Sequence, residues 1–120
     1  MPPAELAARL ADVAEGKIAV LMVGPRQLWR QERVPGSRWI GEAQKSEGLA
    51  ALETALSELG PEVEVVAYCG CCPYAHCPNL RPARRVLAAR ANARFLDLPT
   101  SFRVDWIDKG HPIDKGREPG

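Results

Sequence analysis

The chain has no surplus of either charge: 16 Lys and Arg stand against 15 Asp and Glu, a formal net charge of +1. Without a basic or acidic excess, the composition points to neither nucleic acid nor a charged membrane as partner. Long apolar runs are missing too. The longest, Ile18 to Val23, is far too short to cross a bilayer. The opening residues, Met1-Pro2-Pro3-Ala4-Glu5, lack the basic region and apolar stretch of a secretory signal, so a cytoplasmic location is expected. The sequence shows no internal repeat and no low-complexity stretch. Cysteines are few and undispersed: Cys69, Cys71, Cys72 and Cys77 are all there are. A disulfide framework uses scattered cysteines to close long loops, and this grouping excludes it. Cysteines clustered in a reducing compartment point instead to thiol chemistry or metal binding.

What is present fits one domain. The chain has 120 residues and is 46% apolar, enough for a core of its own. Twelve of its basic residues are Arg, a side chain suited to anions. Leu6, Leu10 and Val13 at helical spacing predict a helix over 3–15, stopped by Gly16. Ile18 to Val23 reads as a strand buried on both faces. Residues 26–33 suggest a short helical turn, and Arg38 to Ile40 a short strand. Leu49, Leu52, Leu56 and Leu59 predict a helix over 46–59, ended by Gly60-Pro61. Val63 to Tyr68 is apolar and β-branched, a second buried strand. A helix over 80–91 follows, with Asn79 as its expected N-cap and Pro82 in its first turn. Arg94 to Leu98 is a third strand, and Ser101 to Lys109 a last helix. The domain is expected over 1–113, with a polar, frayed tail over 114–120. Strands that alternate with helices predict a three-layer α/β/α domain with a parallel sheet of four to five strands.

In such sheets ligands bind beyond the carboxyl ends of the strands, and Cys69 lies at one of those ends. A helix starts about ten residues later, and its N-terminus favours a thiolate over a thiol. Gly70 lets the backbone turn beside the sulfur. Cys69 is therefore the candidate nucleophile. Cys72 is the candidate resolving or relay thiol, and Cys71 a second relay position. Arg81 and Arg85, four residues apart on one helix face, are candidates to bind an anionic substrate beside Gly70. Arg84 reads as part of a solvated face, and Trp29, Trp39 and Trp106 as packing residues.

Several segments together resemble the rhodanese family of sulfurtransferases. Pro3-Ala4-Glu5-Leu6 resembles the family's opening helix. Val20-Leu21-Met22-Val23-Gly24-Pro25-Arg26 resembles the strand that usually ends in Asp-x-Arg. Arg33-Val34-Pro35-Gly36-Ser37 is similar to its His-Ile-Pro-Gly-Ala turn. Val65-Val66-Ala67-Tyr68-Cys69 looks like the strand that ends in the active-site cysteine, and Trp106-x-x-x-Gly110-x-Pro112-Ile113 like its closing motif. The resemblance implies a five-stranded parallel sheet whose first strand is missing or very short here. It also implies transfer of sulfane sulfur from thiosulfate or a polysulfide, through a persulfide on Cys69, to a thiol acceptor. No cofactor is expected.

The departures are specific. Gly24 stands where the family usually has Asp, and Arg33 where it has His. The first Arg after Cys69 is Arg81, so the loop is longer than the family's Cys-x-x-Gly-x-Arg. Pro73 and Pro78 remove amide donors from it. Phosphatases of the same fold place Arg six positions after their cysteine. That position is Ala75, which argues against phosphatase chemistry. Two other readings stay open. Cys69, Cys71, Cys72, His76 and Cys77 could bind zinc or copper, although structural zinc sites usually join two separated ligand pairs. The cluster could also be a thiol redox sensor that transfers no sulfur.

Overall fold

Two apolar segments, each buried on both sides, form the centre of the sheet. These are β1 (Ile18–Met22) and β3 (Glu64–Tyr68), paired in parallel from Ile18 opposite Glu64 to Met22 opposite Tyr68. β2 (Arg38–Trp39) lies outside β1, and β4 (Ala93–Phe95) outside β3, giving the order β2-β1-β3-β4 with every pair parallel. The structure, a computed structural model, describes residues 1–116. Five α-helices flank the sheet among those residues: α1 (Pro3–Ala7), α2 (Leu10–Ala14), α3 (Arg26–Gln31), α4 (Ser46–Glu58) and α5 (Leu80–Leu87). None is long and apolar enough to cross a membrane.

Strand alternation splits the core into two layers. Ile18, Val20, Met22, Val66 and Tyr68 face Leu6, Val13, Trp29 and Trp106. Leu21, Val23, Val65, Ala67 and Cys69 face Leu52, Leu80, Ala83 and Leu87 of α4 and α5. The expected three-layer α/β/α arrangement is therefore present, with four strands. Met1 lies against β4: its amino group donates to Phe95 O at 2.7 Å, and Asp97 N–H donates to Met1 O at 2.9 Å.

The helix expected over 3–15 is two short helices. At the break, Arg9 leaves helical geometry at φ −117°, ψ 23°. Its guanidinium holds both carboxylate oxygens of Glu64, at 2.8 and 3.1 Å, and tethers the break to the start of β3. The helix expected over 80–91 ends at Leu87. Arg90 turns back and donates to the Leu56, Gly60 and Val63 carbonyls, and so covers the end of α4. The last expected helix is a single π-helical turn, Arg103–Ile107. Ser101 Oγ accepts from Val104 N–H while the Asp105 carboxylate accepts from Thr100 and Ser101 N–H, the reciprocal logic of a capping box. The tail is not frayed at 114–116. Arg33 and Asp114 exchange backbone hydrogen bonds at 2.8 and 2.9 Å, and Gly116 N–H reaches Arg30 O. Residues 117–120 lie outside the described part of the chain.

Gly48 sets how closely α4 approaches the loop before it. A Cβ there would stand 2.6 Å from Glu42 C and 2.8 Å from Glu42 N, and closer still to Glu42 O. Intrinsic propensity favours Ala over Gly in a helix by about 1 kcal/mol. The clash is with backbone, so it cannot be relieved by a rotamer change. Gly48→Ala is expected to destabilise by about 1–3 kcal/mol despite the better helix former, as a lower midpoint in urea unfolding.

Candidate functional site

β1 and β3 are adjacent, and the chain leaves their carboxyl ends in opposite directions, toward β2 and toward β4. Such a switch point opens the crevice where ligands of parallel sheets bind. Gly24 from the β1 end and Cys69 from the β3 end meet there. A Cβ on Gly24 would lie 2.5 Å from Cys69 Sγ and 3.1 Å from Cys69 O. An Asp at this position would collide with the sulfur, which gives the departure at Gly24 a steric cause. Gly70 follows at φ +82°, a conformation that favours glycine, and turns the chain away from the strand.

The loop then folds its thiols together. Cys69 donates to Cys71 Sγ at 3.2 Å, Cys71 and Cys72 sulfurs are 2.8 Å apart, and Cys71 and Cys77 sulfurs are 4.0 Å apart. All four are free thiols. The sulfurs of Cys69, Cys71 and Cys77 lie within 4.8 Å of one another. Cys69 is 0% exposed and Cys77 6%, whereas Cys71 and Cys72 are half-buried.

These environments separate the thiols. Burial pushes the Cys69 thiol up to about 11, although the backbone N–H and thiol of Cys71 oppose this. Burial also raises Cys71, reinforced by hydrogen bonding with Cys72 and Cys69. Cys72 is raised, chiefly by the same burial. Cys77 alone is lowered. Burial opposes ionisation there, but the Asn79 backbone N–H, the Cys69 thiol and the Leu80 backbone N–H together outweigh it. The amides at the start of α5 therefore serve Cys77, not Cys69 as the sequence suggests. The long loop is the reason: it brings Cys77, not Cys69, to the residues just ahead of the helix.

The same displacement moves the arginines. Arg81 lines a groove with His76, Cys77 and Arg84, and does not share the Cys69 cleft. Arg85 lies farther along α5 in a separate depression with Leu49 and Glu53. His76 is exposed in the Arg81 groove and is outside the three-sulfur group. Arg84 is more than a solvated charge, since its guanidinium lies 6.0 Å from the Phe95 ring centroid. Cys69 and Gly70 line a cleft of about 140 Å³ that also includes Tyr68, Phe102 and Arg103. Alternation turns the Cys69 side chain into the opposite layer, with Leu21, Ala67 and Cys77. Arg103 pairs with Glu32 at that cleft, so its charge is already balanced.

Asn79 stands at the N-cap position that the sequence suggests, but its side chain caps nothing. It is buried and bridges two elements instead. Oδ1 accepts Gln44 N–H at 3.0 Å, and Nδ2 donates to Cys69 Sγ at 3.4 Å. No local sequence pattern marks that role. Behind the site, Val34 N–H donates to the Tyr68 hydroxyl at 3.3 Å and Trp29 Nε1 donates to Ser37 Oγ at 3.0 Å. Arg33, where the family usually has His, is buried, with its guanidinium 4.6 Å from the Trp29 ring centroid.

No protein-family model matches the chain, and no curated protein sequence matches it. Solved structures do. The solution structure of the rhodanese-like domain of the Alr3790 protein from Anabaena sp. superposes over 100% of this chain and 83% of its own, with a TM-score of 0.65 and 16% identity. The fold is rhodanese-like. Two further structures share it. The BH2092 protein from Bacillus halodurans matches 96% of this chain and 75% of its own, at TM-score 0.66 and 19% identity. A full-length protein from Lactobacillus plantarum matches 96% and 86%, at TM-score 0.64 and 20% identity. In this rhodanese-like fold the thiol cluster occupies the carboxyl end of the central strand β3.

Proposed function

We propose that this chain is a sulfurtransferase, carrying sulfane sulfur from a small anionic donor, thiosulfate or a polysulfide, to a thiol acceptor. The observation that carries the reading is the run of sulfurs from Cys77 through Cys71 to Cys69 and Cys72, with steps of 4.0, 3.2 and 2.8 Å, in a rhodanese-like fold. Cys77 is the first acceptor, because it borders the groove that holds Arg81 and His76 while Cys69 has no exposed surface. Arg81 supplies positive charge for the donor, whereas Arg85 lines a different depression on α5.

With thiosulfate, the Cys77 sulfur attacks the sulfane sulfur, the donor S–S bond breaks, and sulfite leaves with the electron pair. Cys77 then carries a persulfide. Cys71 passes its thiol proton to that persulfide, attacks the outer sulfur and displaces Cys77 as a thiolate. The same exchange hands the sulfur to Cys69, a sheltered carrier, or to half-buried Cys72, from which an outside thiol takes it. Proximity of fixed thiols is what makes these steps fast.

Intact-mass measurement after treatment with thiosulfate or polysulfide tests the reading. Wild type is expected to gain one sulfur, and Cys77→Ser to fall to background. Cys69→Ser is expected to load but to lose its sulfur sooner. Normal loading of Cys77→Ser together with none on Cys69→Ser would make Cys69 the first acceptor. A wild type that gains no sulfur from either donor would end the sulfurtransferase reading.

A further inference from the structure

The same sulfurs satisfy a second chemistry, in which nothing is transferred. We infer that Cys69, Cys71 and Cys77 form a binding site for one thiophilic metal ion, with Cu(I) as the best-fitting occupant. At the ~2.3 Å metal–sulfur distance typical of zinc, ligand sulfurs sit about 3.8 Å apart around one ion. The distances of 3.2 Å for Cys69–Cys71 and 4.0 Å for Cys71–Cys77 bracket that spacing, and all three sulfurs fall within 4.8 Å. Cys69 and Cys77 are the widest pair, within 4.8 Å, so closing on a ~3.8 Å spacing takes shifts of up to about 1 Å.

The choice of ion follows from ligand type and number. An all-thiolate set selects soft ions, Cu(I) and zinc foremost. Three thiolates complete the shell of Cu(I), whereas zinc takes four ligands. Zinc would need a fourth ligand, either a water or Cys72, whose sulfur is only 2.8 Å from Cys71. His76 faces the Arg81 groove and cannot fill the place.

The surroundings support an ion as well. Asn79 Nδ2 donates to Cys69 Sγ at 3.4 Å, and Gln44 N–H bonded to Oδ1 fixes which end of the amide faces the sulfur. A polar group that orients a ligand in this way is a regular part of metal sites. Leu21, Ala67 and Leu80 belong to the same apolar cluster as Cys69 and Cys77 and cover that side of the site. Two of the three sulfurs, Cys69 and Cys77, are buried, and Cys71 is half-buried. On binding, three S–H bonds break, three metal–sulfur bonds form and three protons pass to solvent, with no change of oxidation state. An ion held there occupies the sulfurs that the relay uses, so binding and sulfur loading exclude each other.

Titration under reducing conditions tests this, with Cu(I) supplied as its bicinchoninate complex and Zn²⁺ in a parallel series. Wild type is expected to take one Cu(I), which protects three thiols from alkylation and leaves Cys72 reactive. Cys72→Ser should bind Cu(I) as wild type does, and Cys71→Ser should lose stoichiometric uptake. Asn79→Ala is expected to weaken Cu(I) binding roughly 10–100-fold. The protection pattern on wild type answers the question even where a variant fails to fold. No Cu(I) uptake, or four thiols alkylated equally with and without the ion, overturns the site. A zinc complex that protects all four thiols overturns the three-thiolate assignment. No sulfur donor enters the titration, so its outcome is read separately from that of sulfur loading.

Discussion

Trp106→Ala is expected to remove about 3–5 kcal/mol of stability, the usual cost of emptying a buried tryptophan position. Trp106 is 0% exposed and donates from Nε1 to Pro112 O at 2.8 Å. Its ring stacks on Phe102 at 5.9 Å, and Phe102 stacks on Tyr68 at 5.4 Å. The three rings join the closing segment to the end of β3, one residue before Cys69. Domains of this kind are stable by only about 5–15 kcal/mol, so the variant should be marginal at room temperature. Urea unfolding should show a large fall in midpoint. Trp106→Phe, which keeps a ring and loses the bond to Pro112, should fall much less. A loss below about 1 kcal/mol for Trp106→Ala would show that this end of the core repacks freely.

Gly24→Ala is expected to disrupt the thiol cluster more than it disrupts the fold. The added Cβ would lie 2.5 Å from Cys69 Sγ, 3.1 Å from Cys69 O and 3.1 Å from Met22 Cε. The sulfur is the easiest of these to move, by rotation about χ1, and moving it breaks the 3.2 Å contact with Cys71. Overpacking of this size costs about 1–3 kcal/mol. The cost should be strongly non-additive with Cys69→Ala, because removing the sulfur removes the main clash. A double-mutant cycle in urea should therefore show the pair of changes to be less damaging than the two single losses added. Sulfur taken from a donor should be lost sooner in Gly24→Ala, as in Cys69→Ser, even where the protein remains folded. Additive losses would mean that Gly24 is not held against Cys69.

Trp106 could be marked as a packing residue from its type alone. The reason for Gly24 could not be read from the chain, where it stood only as a departure from the usual Asp. Its partner is the sulfur of a residue 45 positions away. The same holds for Asn79. Its type and its place before a helix suggested a cap, but Gln44 and Cys69, reached through the fold, took both ends of its amide.

The sequence by itself determined the layered architecture and the place of the thiol cluster in it. Apolar runs such as Ile18 to Met22 and Val65 to Tyr68 can be satisfied only in the middle of a covered sheet, and the leucine spacing of α4 commits it to one buried face. Those patterns are local, so they are legible without contacts. The position of Cys69 at a strand end follows from them. Only the tertiary structure decided which thiol lies beside which group. Cys71 came next to Cys69, Cys77 received the amides before α5, and Arg81 went to the groove of Cys77. It also decided where helices stop, through Arg9 on Glu64 and Arg90 on the end of α4. The physical reason is common to all of these. A loop with two prolines and a φ +82° glycine has no periodicity to read, and its course is set by side chains that meet across layers, far apart along the chain.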